Sequence, residues 1–266
     1  MKQPIVLYRG PSVLDGAPIV CIATLGSSNV KTGPMVQTWI MRADVNPLQA
    51  SADASDDSVC GDCPRRHSTG GDCYVTLIQA PRAVWANWDK AGRPRANWKA
   101  PKTTDKLRTA AQTTGFRMGS YGDPAAVPWR VWATVMERLQ PRLWTGYTHQ
   151  WRRTPGWEGH AWFQSHIMAS VDSPEEALVA RAAGWRYFMA VTPDRLDALP
   201  ARTILCLADR EGDKARTCEQ CGICNGTQGK AVPAVSVYLI EHGGRSSAKH
   251  KRALTAKTSS LLKVVQ

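Results

Sequence analysis

Cysteine carries most of the possible chemistry in this chain, because seven of its eight cysteines fall in two short stretches. The upstream cysteine set has the spacing Cys-x2-Cys-x9-Cys, and the downstream cysteine set has the spacing Cys-x11-Cys-x2-Cys-x2-Cys. The upstream set is Cys60, Cys63 and Cys73, and the downstream set is Cys206, Cys218, Cys221 and Cys224. Thiolates at such spacings bind zinc or iron–sulfur clusters. Four thiolates close a metal centre, whereas three leave one position open to another ligand.

The cellular compartment that we expect for this chain favours metal binding over disulfide formation for these thiols. The N-terminal residues Met1–Ile5 lack the apolar segment of a signal peptide. No apolar run reaches the roughly 18–20 residues of a membrane span, so we expect no membrane partner. We therefore expect a cytoplasmic protein whose thiols stay reduced. The eighth cysteine, Cys21, lies in an apolar run and is predicted to be a buried strand residue.

The upstream set allows two interpretations. If zinc occupies it, His67 is the natural fourth ligand of a Cys3His site. If a four-iron cluster occupies it, the three cysteines bind three irons and leave the fourth iron open to an exogenous ligand. The consecutive Cys-x2-Cys steps of the downstream set are typical of iron–sulfur proteins, and tetrahedral zinc also tolerates them.

A formal net charge of +12 predicts a polyanionic partner, either DNA or a nucleotide. Much of this charge lies in a basic C-terminal tail, residues 243–266, which we separate from a single α/β domain at residues 1–242. The segment Leu261–Val265 of the tail could add a last strand.

Short apolar strands that alternate with helical segments must position the cysteines. Residues 4–25 are predicted to form one or two strands, and seven further strands are predicted at Met35–Arg42, Phe116–Tyr121, Leu143–Gln150, His166–Val171, Arg186–Val191, Thr203–Leu207 and Ala234–Ile240. Helices are predicted at Tyr74–Asp89, Pro128–Leu139, Pro174–Ala183 and Pro193–Leu199. Ser173 should cap the third of these helices in a capping box with Glu176, and Gly184 should end it. This alternation predicts a parallel sheet, open or closed as a partial (β/α) barrel.

Polar residues follow several of these strands directly. They are Asp123, His149, Gln150, Ser170 and Asp172, together with the downstream cysteine set. Active sites of parallel α/β folds collect at the carboxyl ends of the strands. We therefore expect all of them on one rim of the sheet.

A three-cysteine loop after an early strand, with a later strand ending in Gly119-Ser120-Tyr121-Gly122-Asp123-Pro124, resembles the radical S-adenosylmethionine enzymes. The usual cysteine spacing of those enzymes is Cys-x3-Cys-x2-Cys, from which the upstream set departs. The resemblance implies a partial (β/α) barrel, two iron–sulfur clusters of the 4Fe–4S type, S-adenosylmethionine as a cofactor and an electron donor as a partner. The downstream set would hold the second, auxiliary cluster.

The resemblance also implies roles for single residues. Gly119, Gly122 and Asp123 match the motif that binds the methionyl amino group, with Asp in place of the usual Glu. Tyr74 would meet the adenine, and Ser170 and Asp172 would hold the ribose hydroxyls. His149 and Asp123 would be the catalytic residues, His149 as a proton donor or a substrate ligand. Four arginines would face phosphate groups, namely Arg65, Arg66, Arg152 and Arg153.

From about Gly33 to Gly226 the chain also resembles a family of bacteriophage proteins found with thymidine-hypermodification genes. That resemblance implies an isomerase acting on amino-acid-decorated thymidine in DNA, such as glycyl-thymidine, in the host cytoplasm. Two alternatives stay open. One is a zinc-stabilised nucleic-acid-binding protein without catalysis, and the other is an iron–sulfur lyase whose open iron acts as a Lewis acid.

Overall fold

The computed structural model describes residues 3–153, 157–228 and 235–241. Nine strands form one mixed sheet, namely β1 Ile5–Pro11, β2 Pro18–Thr24, β3 Val36–Arg42, β4 Phe116–Tyr121, β5 Trp144–Thr148, β6 Met168–Val171, β7 Tyr187–Val191, β8 Thr203–Leu205 and β9 Ser236–Ile240. The α-helices are α1 Pro47–Ala52, α2 Asp57–Cys60, α3 Ala80–Lys90, α4 Pro101–Thr114, α5 Trp129–Leu139, α6 His160–His166, α7 Pro174–Ala182 and α8 Cys218–Cys221.

The sheet is mostly parallel and does not close on itself within the described residues. Its strand order is β1-β2-β3-β4-β5-β6-β7-β9-β8. The first three strands pair antiparallel, and all pairs from β3 onward are parallel. The predicted α/β class with a largely parallel sheet is confirmed, with an antiparallel hairpin added at one edge.

Burial explains why these segments form strands. In β2 the five residues Ile19–Ala23 are all buried, the continuous apolar run expected of a strand covered on both faces. Cys21 lies within this run and is fully buried, as predicted. On the helical layer, α5 buries Trp132, Val135 and Leu139, which recur at the spacing of one helix face.

One predicted helix begins later than expected, and two helices of the structure were not predicted. The helix predicted from Tyr74 begins at Ala80, because Pro81 is accommodated only in the first turn of a helix. Ile78 therefore lies before the helix and is 65% exposed. The sequence reading also missed α4 and α6.

The N-terminus of α7 follows the prediction in part. Ser173 caps the helix, since its Oγ accepts a hydrogen bond from the Glu176 amide at 3.2 Å. The Glu176 carboxylate accepts instead from the amide of Asp172, one residue before the cap, at 2.9 Å. The predicted capping box is therefore wrong in one respect. The Glu176 carboxylate binds the amide of Asp172, the residue that follows β6, and not the amide of Ser173.

The basic tail at residues 243–266, including the strand predicted at Leu261–Val265, lies outside the described residues. Within the described part of the chain, no helix combines the length and apolar character needed to cross a membrane.

Candidate metal centre

The upstream cysteine set lies at the carboxyl end of β3, the first strand of the parallel part of the sheet. The short helix α2 ends at Cys60, and Gly61 turns the chain with a φ of 58°. A Cβ atom at Gly61 would lie 2.3 Å from the Gln150 side chain. Gln150 in turn donates to the Cys60 carbonyl at 3.3 Å and to Asp62 at 2.9 Å. The loop is therefore fastened to the end of β5.

Asp123 joins the ends of three strands. Its amide donates to the carbonyl of Val59, the residue before Cys60, at 2.6 Å. Its carboxylate accepts from the Ala125 amide at 2.9 Å and from the His149 amide at 2.8 Å. Burial raises the pKa of Asp123, and these hydrogen bonds oppose that shift. The cysteine loop, Asp123 and His149 thus lie together at the carboxyl ends of β3, β4 and β5.

His149 lies between a thiol and a carboxylate. Its Nε2 atom is 3.8 Å from Cys63 Sγ and 3.6 Å from Asp172 Oδ2. Burial alone would lower the pKa of His149, but negative charge on Cys63 and Asp172 raises it well above its ordinary value. A protonated imidazole therefore suits this position.

Arg65, inside the cysteine loop, is buried among carboxylates. Its guanidinium lies 3.1 Å from Asp172, 2.8 Å from Glu241 and 3.3 Å from Asp72. The prediction that Arg65 faces a phosphate is wrong, because its side chain is committed to these ion pairs. The pairs instead tie the loop to the carboxyl ends of β6 and β9.

The residues predicted to bind a cofactor occupy the same edge. Tyr74 is 57% exposed, with the Arg65 guanidinium 5.5 Å from its ring. Gly119 and Gly122 both have positive φ, and a Cβ at Gly122 would lie 2.5 Å from the Ile40 carbonyl. Ser170 is in β6, where its carbonyl accepts from the Trp151 indole at 2.9 Å. The Asp172 side chain is buried against Arg65 and His149, so a ribose would have to share it with them.

The upstream thiols influence one another electrostatically. Burial raises the pKa of Cys60 well above its ordinary value, and negative charge on Cys63 and Cys73 raises it further. Burial also raises the pKa of Cys73, to about 11. Thiolates at these positions therefore need a positively charged centre beside them.

The downstream set is not on the predicted rim. Cys206 follows β8 directly, but Cys218 donates its amide to the Lys31 carbonyl, before β3, at 3.0 Å. Farther along, the Gly146 amide in β5 donates to the Cys224 carbonyl at 3.1 Å. The prediction of one shared rim is wrong, because α8 returns the chain to the amino ends of the parallel strands.

The downstream thiols also form one electrostatic group. Burial raises the pKa of Cys224 to about 12, opposed by a hydrogen bond with Tyr147 and reinforced by the other three thiols. Burial likewise raises the pKa of Cys218, and the guanidinium of Arg117 opposes that shift. Met168 and Val237 pack around Cys224. All seven clustered cysteines lie among the described residues, and none of them forms a disulfide bond there.

The zinc interpretation of the upstream set is not supported in its predicted form. His67 Nε2 lies 3.3 Å from the Val75 carbonyl, and His149 rather than His67 contacts a thiol. Across the described ranges, no group of three or more His, Cys, Asp or Glu side chains is placed to hold a metal ion or a cluster.

A cavity of about 430 Å³ opens beside the upstream set. It is lined by Leu14, Asp15, Asp57, Gly61, Asp62, Arg66, Gln150, Arg152 and Arg153. Arg66 pairs with Asp56 at 3.2 Å, and Arg152 pairs with Glu176. Because the lining carries as many carboxylates as guanidinium groups, the cavity is polar but not a basic surface.

Two residues that build this site, Glu241 and Tyr121, were not among the predicted site residues, and the contacts of Arg65 and Gln150 were not predicted. Arg65 and Glu241 are 176 positions apart and Gln150 is 90 positions from Cys60, so no local pattern could have paired them. Tyr121, the last residue of β4, packs in one apolar cluster with Cys60. Its position directly before Gly122-Asp123-Pro124 is the sequence feature that could have indicated a role for Tyr121 in the site.

No protein-family model, no curated protein and no solved structure matches the chain.

Proposed function

We propose that this chain is an iron–sulfur enzyme of the radical S-adenosylmethionine type, an isomerase that acts on a modified thymidine base in phage DNA. The observation that carries the proposal is the contact between the upstream set and the strand-end motif. The Asp123 amide donates to the Val59 carbonyl, beside Cys60, while His149 lies against Cys63. Three thiols, a turn with two positive-φ glycines and a histidine thus meet at the carboxyl ends of adjacent parallel strands.

The donor chemistry of both cysteine sets fits iron–sulfur clusters. Burial raises the pKa of Cys60 and Cys224, so these thiols are neutral unless a bound cation stabilises their thiolate form. A polynuclear cluster binds each thiolate at a different iron, so the sulfurs surround a common volume rather than one point. The upstream set would hold a cluster by Cys60, Cys63 and Cys73, and the downstream set would hold one by Cys206, Cys218, Cys221 and Cys224. The barrel-like enclosure of the site remains part of the proposal.

A reduced cluster with one open iron, together with S-adenosylmethionine, supplies reductive cleavage of the sulfonium and hydrogen-atom abstraction from an unactivated carbon. The protein residues would bind and orient the cofactor and the substrate. Asp123 fixes the turn at the end of β4, and its spare lone pairs can accept a ligand ammonium group. His149 Nε2 lies between Cys63 and Asp172, where it can hold a proton. Tyr74 offers an exposed ring on which a base can stack.

The test is anaerobic purification followed by quantification of iron and acid-labile sulfide. The protein is then incubated with dithionite, S-adenosylmethionine and DNA that carries the amino-acid-decorated thymidine. We expect a brown protein that binds iron in both sets and forms 5′-deoxyadenosine. Release of 5′-deoxyadenosine without isomerised base would retain the radical chemistry and reject the proposed substrate.

Two variants serve as matched controls. Cys63→Ser removes one upstream thiol and should abolish 5′-deoxyadenosine formation, with loss of the upstream iron. Cys21→Ala removes the buried thiol that belongs to neither set and should leave iron content unchanged. Equal iron loss in both variants would mean that unfolding, not ligand loss, causes the effect.

The alternative function is a zinc-stabilised nucleic-acid-binding protein, and one observation favours it. His149 lies 3.8 Å from the Cys63 sulfur, which makes it the candidate fourth ligand of a Cys3His site. A colourless protein that contains two zinc ions per chain and no sulfide would support this alternative and exclude the radical enzyme.

A further inference from the structure

Tyr121 carries a buried hydroxyl group without a hydrogen-bond partner among the described residues. The residue ends β4 and is 5% exposed. A buried phenol normally finds an acceptor, because leaving it unpaired costs about 1–3 kcal/mol. Such a group in a native fold calls for an explanation, and one explanation is a ligand that supplies the acceptor.

The surroundings of Tyr121 indicate where that acceptor lies. Tyr121 packs in one apolar cluster with Cys60 and with Val75, two residues after Cys73. Burial raises the pKa of Tyr121, negative charge on Cys60, Asp56 and Cys73 raises it further, and the Arg66 guanidinium opposes the shift. The phenol therefore lies in the apolar cluster against which Cys60, one of the three upstream thiols, packs.

We propose that the Tyr121 hydroxyl donates a hydrogen bond to a sulfur atom of the metal centre held by the upstream cysteine set, and thereby stabilises the reduced state of that centre. The inference rests on the proposed iron–sulfur function. A donor aimed at a cluster sulfur stabilises the form with more negative charge, which is the reduced form, and so raises the reduction potential. In this scheme Tyr121 contacts the metal centre and not the substrate.

Tyr8 offers a matched comparison. Its hydroxyl donates to the Pro11 carbonyl at 2.7 Å on an exposed part of the first hairpin. Replacing Tyr8 by Phe removes a hydroxyl whose partner is protein, and replacing Tyr121 by Phe removes one whose partner we assign to the metal centre.

The first experiment is a potentiometric titration of anaerobically prepared wild-type, Tyr121→Phe and Tyr8→Phe proteins, followed by electron paramagnetic resonance. The Cys63→Ser variant identifies which signal belongs to the upstream centre. We expect Tyr121→Phe to shift the potential of that centre to a lower value, with iron content unchanged, and Tyr8→Phe to shift neither centre. An upstream potential that is the same in Tyr121→Phe and wild type would overturn the inference.

Unfolding with and without metal provides a second readout. Without metal, Tyr121→Phe should be at least as stable as the wild type, because it removes an unpaired buried hydroxyl. With iron and sulfide bound, the same variant should be less stable than the wild type. Equal destabilisation in both forms would show that the hydroxyl serves a protein partner, which also overturns the inference. A wild type that binds no iron would instead reject the proposed function itself.

Discussion

Asp123 is the residue on which the candidate site depends most directly. Each of its carboxylate oxygens accepts one backbone amide, from Ala125 and from His149, and its own amide reaches Val59. An asparagine at this position keeps one acceptor oxygen and turns an N–H group toward the other amide. We expect Asp123→Asn to lower the free energy of unfolding by about 1–3 kcal/mol.

Denaturant unfolding measures this effect, with Asp53→Asn as the control. Asp53 accepts from the Ser55 amide at 3.0 Å in an exposed turn, so its replacement should cost within about 0.5 kcal/mol. If the two variants are equally stable, Asp123 does not fasten the strand ends in the way described.

His166 gives the protein a pH-dependent stability that is separate from the cysteine sets. Its ring stacks on Trp162 with centroids 4.0 Å apart, and burial lowers its pKa. The unfolded chain therefore binds a proton that the folded state resists, so stability falls as pH decreases below about 6.5. We expect the slope of unfolding free energy against pH between 8 and 5 to be smaller in His166→Gln, by at most about 1.4 kcal/mol per pH unit. An identical slope in variant and wild type would contradict this assignment.

At the level of secondary-structure elements, the turn after β4 is the most constrained. Gly122 has a φ of 78°, and a Cβ there would lie 2.5 Å from the Ile40 carbonyl in β3. Gly16 has a similar φ of 82°, but a Cβ there would meet nothing within 4 Å, which makes it a control for backbone strain alone. We expect Gly122→Ala to cost about 3 kcal/mol or more and Gly16→Ala about 1–2 kcal/mol, measured by denaturant unfolding. Similar costs at both positions would mean that β3 yields to the new methyl group.

The elements that could be predicted from sequence are those whose signal is local. The buried run Ile19–Ala23 and the β4 strand before Gly122 follow from apolar continuity and turn residues. The path of α8 could not be predicted, because its place is set by hydrogen bonds to Lys31 and Thr32, nearly 190 positions away. The cysteine spacing indicates how many thiols can bind one metal centre. It does not indicate at which edge of the sheet that centre lies, because the edge depends on such distant contacts.

At the scale of the whole molecule, the two cysteine sets contact the same part of the sheet at different positions along its strands. In β5 the Gly146 amide holds Cys224, and three residues later His149 meets Cys63, about 10 Å along an extended strand. Because no cysteine is shared, we expect the two sets to bind metal independently. The double variant Cys218→Ala/Cys221→Ala should lose about half of the bound iron and keep the upstream centre.

Iron quantification with electron paramagnetic resonance checks this independence, and Cys63→Ser provides the reciprocal loss. The downstream double variant should also lower the melting temperature of the loaded protein, because α8 ties the segments before β3 and β5 together. Loss of both centres in either variant would show that the sets fold as one unit.

Net charge is the remaining whole-molecule property, and half of it lies in one segment. Residues 242–266 carry six basic residues and no acidic ones, out of a net charge of +12. The described site, in contrast, pairs its arginines with carboxylates. We therefore expect DNA affinity to depend on the tail. The triple variant Lys249→Gln/Lys251→Gln/Arg252→Gln should weaken binding and reduce the slope of log affinity against log salt by up to about three.

The control Lys90→Gln/Lys99→Gln/Lys102→Gln removes the same charge from the described surface and should leave that slope nearly unchanged. Equal losses in the two triple variants would mean that DNA responds to total charge and not to the tail.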